Sequence, residues 1–275
     1  MSEEEGRRPT ASGALRMGSF AAVLWILGIT AVYIGAAILL VQGSGIESHV
    51  AGGFVQLGVY LGAVLLLRRA YMRDKPLRQV IALRRPPVLM CIAAVVIGAT
   101  SNVWIEVLFE FFVERFPLPP GLDQAGMDGT PSMPMLVIRM VQLALVIPFT
   151  EEMLFRGGLI RPLLVKRTWM EPLVITSLLF CMVHYMRWQF AVPILPLALC
   201  LGGLRISSGS LFPSVLLHMA FNGAALANLV VPHLSRYITW PVFLGSIAVS
   251  LVAAAGAFMV GRTNAVAVRN RALDA

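Results

Sequence analysis

The chain is poor in charge. Asp, Glu, Lys and Arg make up 13 % of its 275 residues, against about 25 % in an ordinary soluble domain. That shortage excludes a typical water-clothed protein, because 58 % of the residues are apolar and too little polar surface remains to cover them. Cysteine is almost lacking too. Cys91, Cys181 and Cys200 all sit in apolar runs without a CxxC or Cys/His spacing, so they read as inert thiols rather than a disulfide scaffold. The net charge of +8 does not signal nucleic acid. The basic residues lie between apolar runs, without the clustered polar or aromatic readers such a site needs.

What the chain has instead is long uncharged runs. A membrane helix needs about 20 apolar residues, and the runs from Met17 to Val41, Val50 to Leu67, Val88 to Ile105 and Trp240 to Gly261 approach or exceed that length without a charge. The first is too long for a signal-peptide core and is read as a retained span. Four more runs are interrupted by polar residues or proline. Met133 to about Ile160 holds Arg139, Glu151, Glu152 and Arg156; Pro172 to Met186 holds His184; Phe190 to Leu204 holds Pro193 and Pro196; Leu211 to Val231 holds His218 and Asn222. The expected fold is all-α, a polytopic transmembrane bundle of about eight spans forming one integral membrane domain over residues 1–275. Phe116 to Ser132, rich in Pro, Gly and Asp, is the one long aqueous loop.

Lys and Arg set the expected orientation. With both termini inside, 18 of the 22 basic residues fall on the inner side, Arg115, Arg187 and Arg236 fall outside, and Arg139 lies within a span. The expected location is therefore an integral membrane protein of a bacterial inner (cytoplasmic) membrane, with N- and C-termini cytoplasmic. Arg68 to Arg85 joins the second and third spans on the inner side. It reads equally as an interfacial helix held by anionic lipid or as a solvated basic loop.

Charge in a bilayer core costs about 2.5–3.5 kcal/mol per residue on insertion scales, so each intramembrane ionisable group asks for a partner or a role. At a rise of about 1.5 Å per residue, Glu151 lies roughly 14–21 Å from the inner end of its span, His184 about 18 Å deep, His218 about 10 Å and Asn222 about 16 Å. Four separately placed polar residues thus reach one layer. A lone intramembrane His or Asn is more often an interhelical hydrogen-bond partner. A lone Glu/Arg pair is usually a buried ion pair, and Arg139 is read that way or as a snorkelling side chain. The set as a whole has the groups that activate water and stabilise an oxyanion. A carboxylate beside a histidine can take a proton from water. His218 and Asn222, four residues apart on one helix face, can donate hydrogen bonds to a tetrahedral oxygen. Arg156 is placed to neutralise one glutamate and leave the other free. The serines Ser207, Ser208 and Ser210 show no nucleophile elbow and read as a loop and helix start.

Glu151-Glu152-Met-Leu-Phe-Arg156, Phe180-Cys-Met-Val-His184 and His218-Met-Ala-Phe-Asn222 resemble the EExxxR, FxxxH and HxxxN motifs of the CAAX-protease and bacteriocin-processing (CPBP, or Abi) family. That family includes the Ras-converting type of CAAX prenyl endopeptidase. The resemblance implies an intramembrane glutamic endopeptidase whose catalytic core spans residues 134–231. By motif position, Glu151 would activate water with help from His184, His218 and Asn222 would form the oxyanion site, and Glu152 and Arg156 would order the first glutamate. The implied partners are the bilayer and a membrane-associated protein or peptide substrate, with no cofactor. Other intramembrane chemistries leave no signature: there is no HExxH, every Asp lies in a loop or terminus, and no GxSx serine site is evident. Two alternatives stay open. One is a zinc-dependent peptidase using Glu151, Glu152, His184 and His218. The other is a non-proteolytic membrane protein, a scaffold, immunity factor or transporter, using the polar layer as a relay.

Overall fold

The computed structural model describes residues 17–44, 48–118, 132–164, 168–184, 188–226 and 238–273. Among them all regular structure is helical. We number the helices α1 (Ser19–Ser44), α2 (Ser48–Tyr71), α3 (Leu77–Val80), α4 (Val88–Arg115), α5 (Met133–Leu164), α6 (Met170–Met182), α7 (Trp188–Ala191), α8 (Leu195–Ser208), α9 (Phe212–Ala225) and α10 (Trp240–Leu273). The aqueous loop expected between Phe116 and Ser132 lies largely outside the described residues.

Five of these helices contain a stretch long and apolar enough to cross a membrane: α1, α2, α4, α5 and α10. The other three expected spans are shorter. α6 has 13 residues and α8 and α9 have 14 each, about 20 Å of helix against a hydrocarbon core of about 30 Å. α6 stops at Met182, so His184 stands on the turn after the helix instead of within it. α8 ends at Gly209, whose φ of +64° is the left-handed conformation that glycine accepts without a Cβ penalty.

The bundle buries a core shared by α2, α4, α5, α8 and α9. α4 packs against both α9 and α10. A Cβ on Gly98 of α4 would overlap the Leu217 carbonyl of α9, so the missing side chain is what lets the helix carrying His218 lie directly on α4.

The basic connection between α2 and α4 keeps Arg73, Arg78, Arg84 and Arg85 exposed but is not one continuous surface helix. It contains a single helical turn, α3, and then turns inward, burying Val80, Ile81 and Ala82. Its backbone is tied down at three points: Arg161 donates to the Gln79 carbonyl (2.7 Å), the Leu211 amide to the Ala82 carbonyl (3.0 Å), and the Ser210 hydroxyl to the Arg84 carbonyl (2.6 Å). Ala82 has φ +55°, a conformation costly for a residue with a Cβ, and its buried, bonded neighbours hold it there.

Candidate active site

α5 carries the two glutamates, and its backbone is irregular on either side of them. Gln142–Val146 and Met153–Leu159 are π-helical, with the α-helical turn Ile147–Glu152 between. Each π segment contains the residue four before a proline, Ala144 before Pro148 and Gly158 before Pro162. Proline has no N–H and its ring crowds the carbonyl four residues back, which a widened turn relieves. In the first segment the Ile147 amide bonds back to the Gln142 carbonyl. In the same register the Leu143 carbonyl would need Pro148, which has no proton to give. Asn222 of α9 takes its place: its Nδ2 donates to the Leu143 carbonyl at 2.9 Å. The proline thus creates the acceptor that docks the HxxxN helix onto the EExxxR helix.

Every residue from Thr150 to Ile160 is buried, so this stretch of α5 is enclosed on all sides. Glu152 and Arg156 are fully buried and face each other one turn apart, Nη1 to Oε1 at 3.2 Å. His218 Nδ1 donates to the same Glu152 oxygen at 3.0 Å. Arg156 also donates from Nη2 to the Ala198 carbonyl of α8 (3.1 Å), and its guanidinium lies 4.5 Å from the centre of the Phe180 ring. Buried charges survive when paired and hydrogen-bonded in this way. Arg205 of α8 completes the support, donating to the Arg156 carbonyl at 3.0 Å.

Glu151 has a different environment. Its Oε2 lies 3.8 Å from His218 Nε2, and its Oε1 receives Gln56 Nε2 of α2 at 3.4 Å. The Gln56 amide also donates to the Thr150 hydroxyl at 3.0 Å. Gln56 was missed in the sequence reading, although it is the single carboxamide in the apolar run from Val50 to Leu67, which is the signal that could have found it.

His184 reaches the site through Phe180. Its Nδ1 donates to the Phe180 carbonyl at 2.8 Å, one of the end-of-helix carbonyls of α6 that lack an intrahelical partner. The Phe180 ring lies 4.9 Å from the His184 ring and 5.7 Å from the His218 ring, centre to centre. Of the residues singled out from sequence, Glu151, Glu152, Arg156 and His218 therefore form one contiguous cluster. His184 borders it across Phe180, and Asn222 lies one turn beyond His218 against the first π segment. The imidazole beside Glu151 is His218; His184 makes its hydrogen bond with its own helix end.

With Nδ1–H given to Phe180, His184 has Nε2 left for another partner. For His218, Nδ1–H given to Glu152 leaves Nε2 directed toward Glu151. Among the described residues no three His, Cys, Asp or Glu side chains are grouped so as to hold a metal ion.

Residues 133–224 match the family model described as type II CAAX prenyl endopeptidase Rce1-like. The match covers about a third of the chain and contains the EExxxR, FxxxH and HxxxN motifs in full. It agrees with the resemblance to the CPBP family and supports a peptide hydrolase embedded in a membrane. No curated protein and no solved structure matches the chain.

Proposed function

We propose that the protein is an intramembrane endopeptidase of the glutamic, CPBP type, hydrolysing a peptide bond of a membrane-associated protein or peptide with a water activated by Glu151. The observation that carries this reading is the asymmetry of the glutamate pair. Glu152 is engaged by Arg156 and His218, whereas Glu151 meets the neutral amide of Gln56 and looks onto His218 Nε2 across 3.8 Å. A carboxylate left out of the Arg156 pair can take a proton, and two polar atoms at that separation can hold one water between them.

In the proposed step Glu151 accepts a proton as the water oxygen bonds to the peptide carbonyl carbon. The tetrahedral oxyanion is met by His218 Nε2–H, with His218 protonated and its Nδ1–H kept on Glu152. The second amide proton of Asn222 adds a donor. Collapse breaks the C–N bond, and the proton held by Glu151 passes to the leaving amine. His184, with Nε2 as acceptor, assists the proton transfer. Two carboxylates, Arg156 and protonated His218 sum to zero charge, which suits a site at membrane depth. No metal or cofactor enters this reading. We place the catalytic core within residues 134–231 and both termini on the cytoplasmic side of a bacterial inner membrane, following the bias of basic residues.

The test compares protein termini across the membrane proteome of cells making the wild-type protein, Glu151→Ala or His218→Ala. A new terminus present with wild type and lost with both variants is expected and would name the substrate. Identical termini in all three would overturn the protease reading in favour of a binding role.

A further inference from the structure

Aromatic contacts join α1 and α2 at two levels. Near one end Trp25 Nε1 donates to the Tyr71 hydroxyl at 3.2 Å, with the rings edge to face at 6.5 Å. Further along, Tyr33 and Tyr60 meet edge to face at 6.3 Å. Between these contacts lies a cleft of about 550 Å³ whose walls include Gly28, Ile29, Val59, Gly62, Ala63 and Leu66. A Cβ added to Gly28 or Gly62 would meet nothing within 4 Å, so the glycines open the space and no neighbour fills it. The volume is that of a small-molecule site, and the wall is almost wholly apolar. From Val59 to Leu66 the cleft runs about 10 Å along α2, much of one leaflet's share of a hydrocarbon core about 30 Å thick.

The next turn of α2 changes character. Arg68, Arg69 and Arg73, with Leu65, line a second hollow of about 330 Å³. Arg69 follows Leu66 by three residues and Gly62 by seven, so it continues the face that lines the cleft. Two of the arginines are positioned by backbone carbonyls: Arg68 Nε donates to Lys75 (2.7 Å) and Arg73 Nε to Arg69 (3.4 Å). An apolar slot with Arg69 and Arg73 beyond one end has the polarity of a lipid with an anionic headgroup, hydrocarbon at one end and phosphate at the other.

We propose that the α1–α2 cleft binds an anionic phospholipid, with an acyl chain between the helices and its phosphate at Arg69 and Arg73. A whole helix, from another protein or a second copy of this chain, is about 10–12 Å across and too wide to enter between two helices held together above and below the cleft. The site is separate from Glu151, and its test reads lipid binding rather than peptide cleavage.

Trp25 lines the cleft and serves as the probe. A variant with Trp104, Trp169, Trp188 and Trp240 changed to Phe is placed in phosphatidylcholine vesicles containing brominated phosphatidylglycerol or brominated phosphatidylcholine as a minor component. Quenching of Trp25 is expected to favour the glycerol lipid by about tenfold in apparent affinity, as two arginine–phosphate attractions allow. The preference is expected to vanish in Arg69→Gln/Arg73→Gln, and quenching by either lipid to fall in Gly28→Leu/Gly62→Leu. Native mass spectrometry of the delipidated wild-type protein, counting lipids retained from each stock, gives the same comparison without the tryptophan changes. Equal quenching by the two lipids, or a preference that survives the arginine substitutions, would overturn the proposal and leave ordinary boundary lipid. Cross-linking between copies through Cys introduced at Leu24, with no lipid retained, would overturn it in favour of a second copy.

Discussion

α1 and the middle of α5 are both helices in the same membrane protein, yet they use the bilayer in opposite ways. α1 buries Ala22, Ile26 and Ile29, one narrow stripe at a spacing of three and four residues, and leaves Phe20, Leu24, Val32 and Leu39 more than half exposed. For α1 lipid is the solvent, and apolar exposure costs nothing. From Thr150 to Ile160, α5 is buried on every side, and this enclosed stretch holds both glutamates and Arg156. The difference teaches where charge survives at membrane depth. It is tolerated where protein has replaced lipid all round and can supply the partners that lipid cannot.

The comparison predicts a graded set of responses. The largest is for Arg156→Leu, which leaves Glu152 fully buried beside His218 alone. A loss of about 3–5 kcal/mol is expected from thermal unfolding in detergent, and a loss below about 1 kcal/mol would mean that the pair is solvated after all. Next is Gly98→Val, whose side chain collides with the Leu217 carbonyl. It is expected to cost about 1–3 kcal/mol and to move α9, which a spin label on α9 measured against α4 detects. Gln56→Leu removes a buried hydrogen-bond donor worth about 1 kcal/mol, so it should lower stability to unfolding by about that much and slow substrate cleavage about fivefold. A rate equal to wild type would show that Gln56 does not hold Glu151. The smallest is Leu39→Ala on the lipid face of α1, where a change within about 0.5 kcal/mol is expected. A larger loss there would mean that α1 has a protein neighbour along that face.

How much of this was legible in sequence depends on the kind of feature. The long apolar runs announce α1, α2, α4, α5 and α10, because hydrocarbon imposes a minimum length on an uncharged helix. The shorter helices are harder to bound. The run around α6 stays apolar past Met182, but the chain turns there and His184 caps the helix through the Phe180 carbonyl. The basic segment before α4 offered no sign that Val80, Ile81 and Ala82 would be buried, since the bonds that hold them come from Arg161, Ser210 and Leu211, far away in the chain. The glutamates, histidines and Asn222 stood out in sequence because polar groups are costly in lipid. Gln56 carried the same signal in weaker form, as one uncharged amide in an apolar run.

Composition and the spacing of charge were enough to determine a helical membrane protein whose few buried ionisable residues matter, because solvation energy is a property of each residue and its near neighbours in the chain. Which glutamate keeps its charge paired was not determined at that level. Glu151 and Glu152 are adjacent and chemically identical, and successive residues of a helix point about 100° apart. Tertiary structure decides between them. Arg156 and His218 converge on Glu152, Gln56 arrives at Glu151 from another helix, and Pro148 exposes the carbonyl that seats Asn222. These choices rest on contacts between residues up to 95 positions apart, and only the packed bundle brings them together.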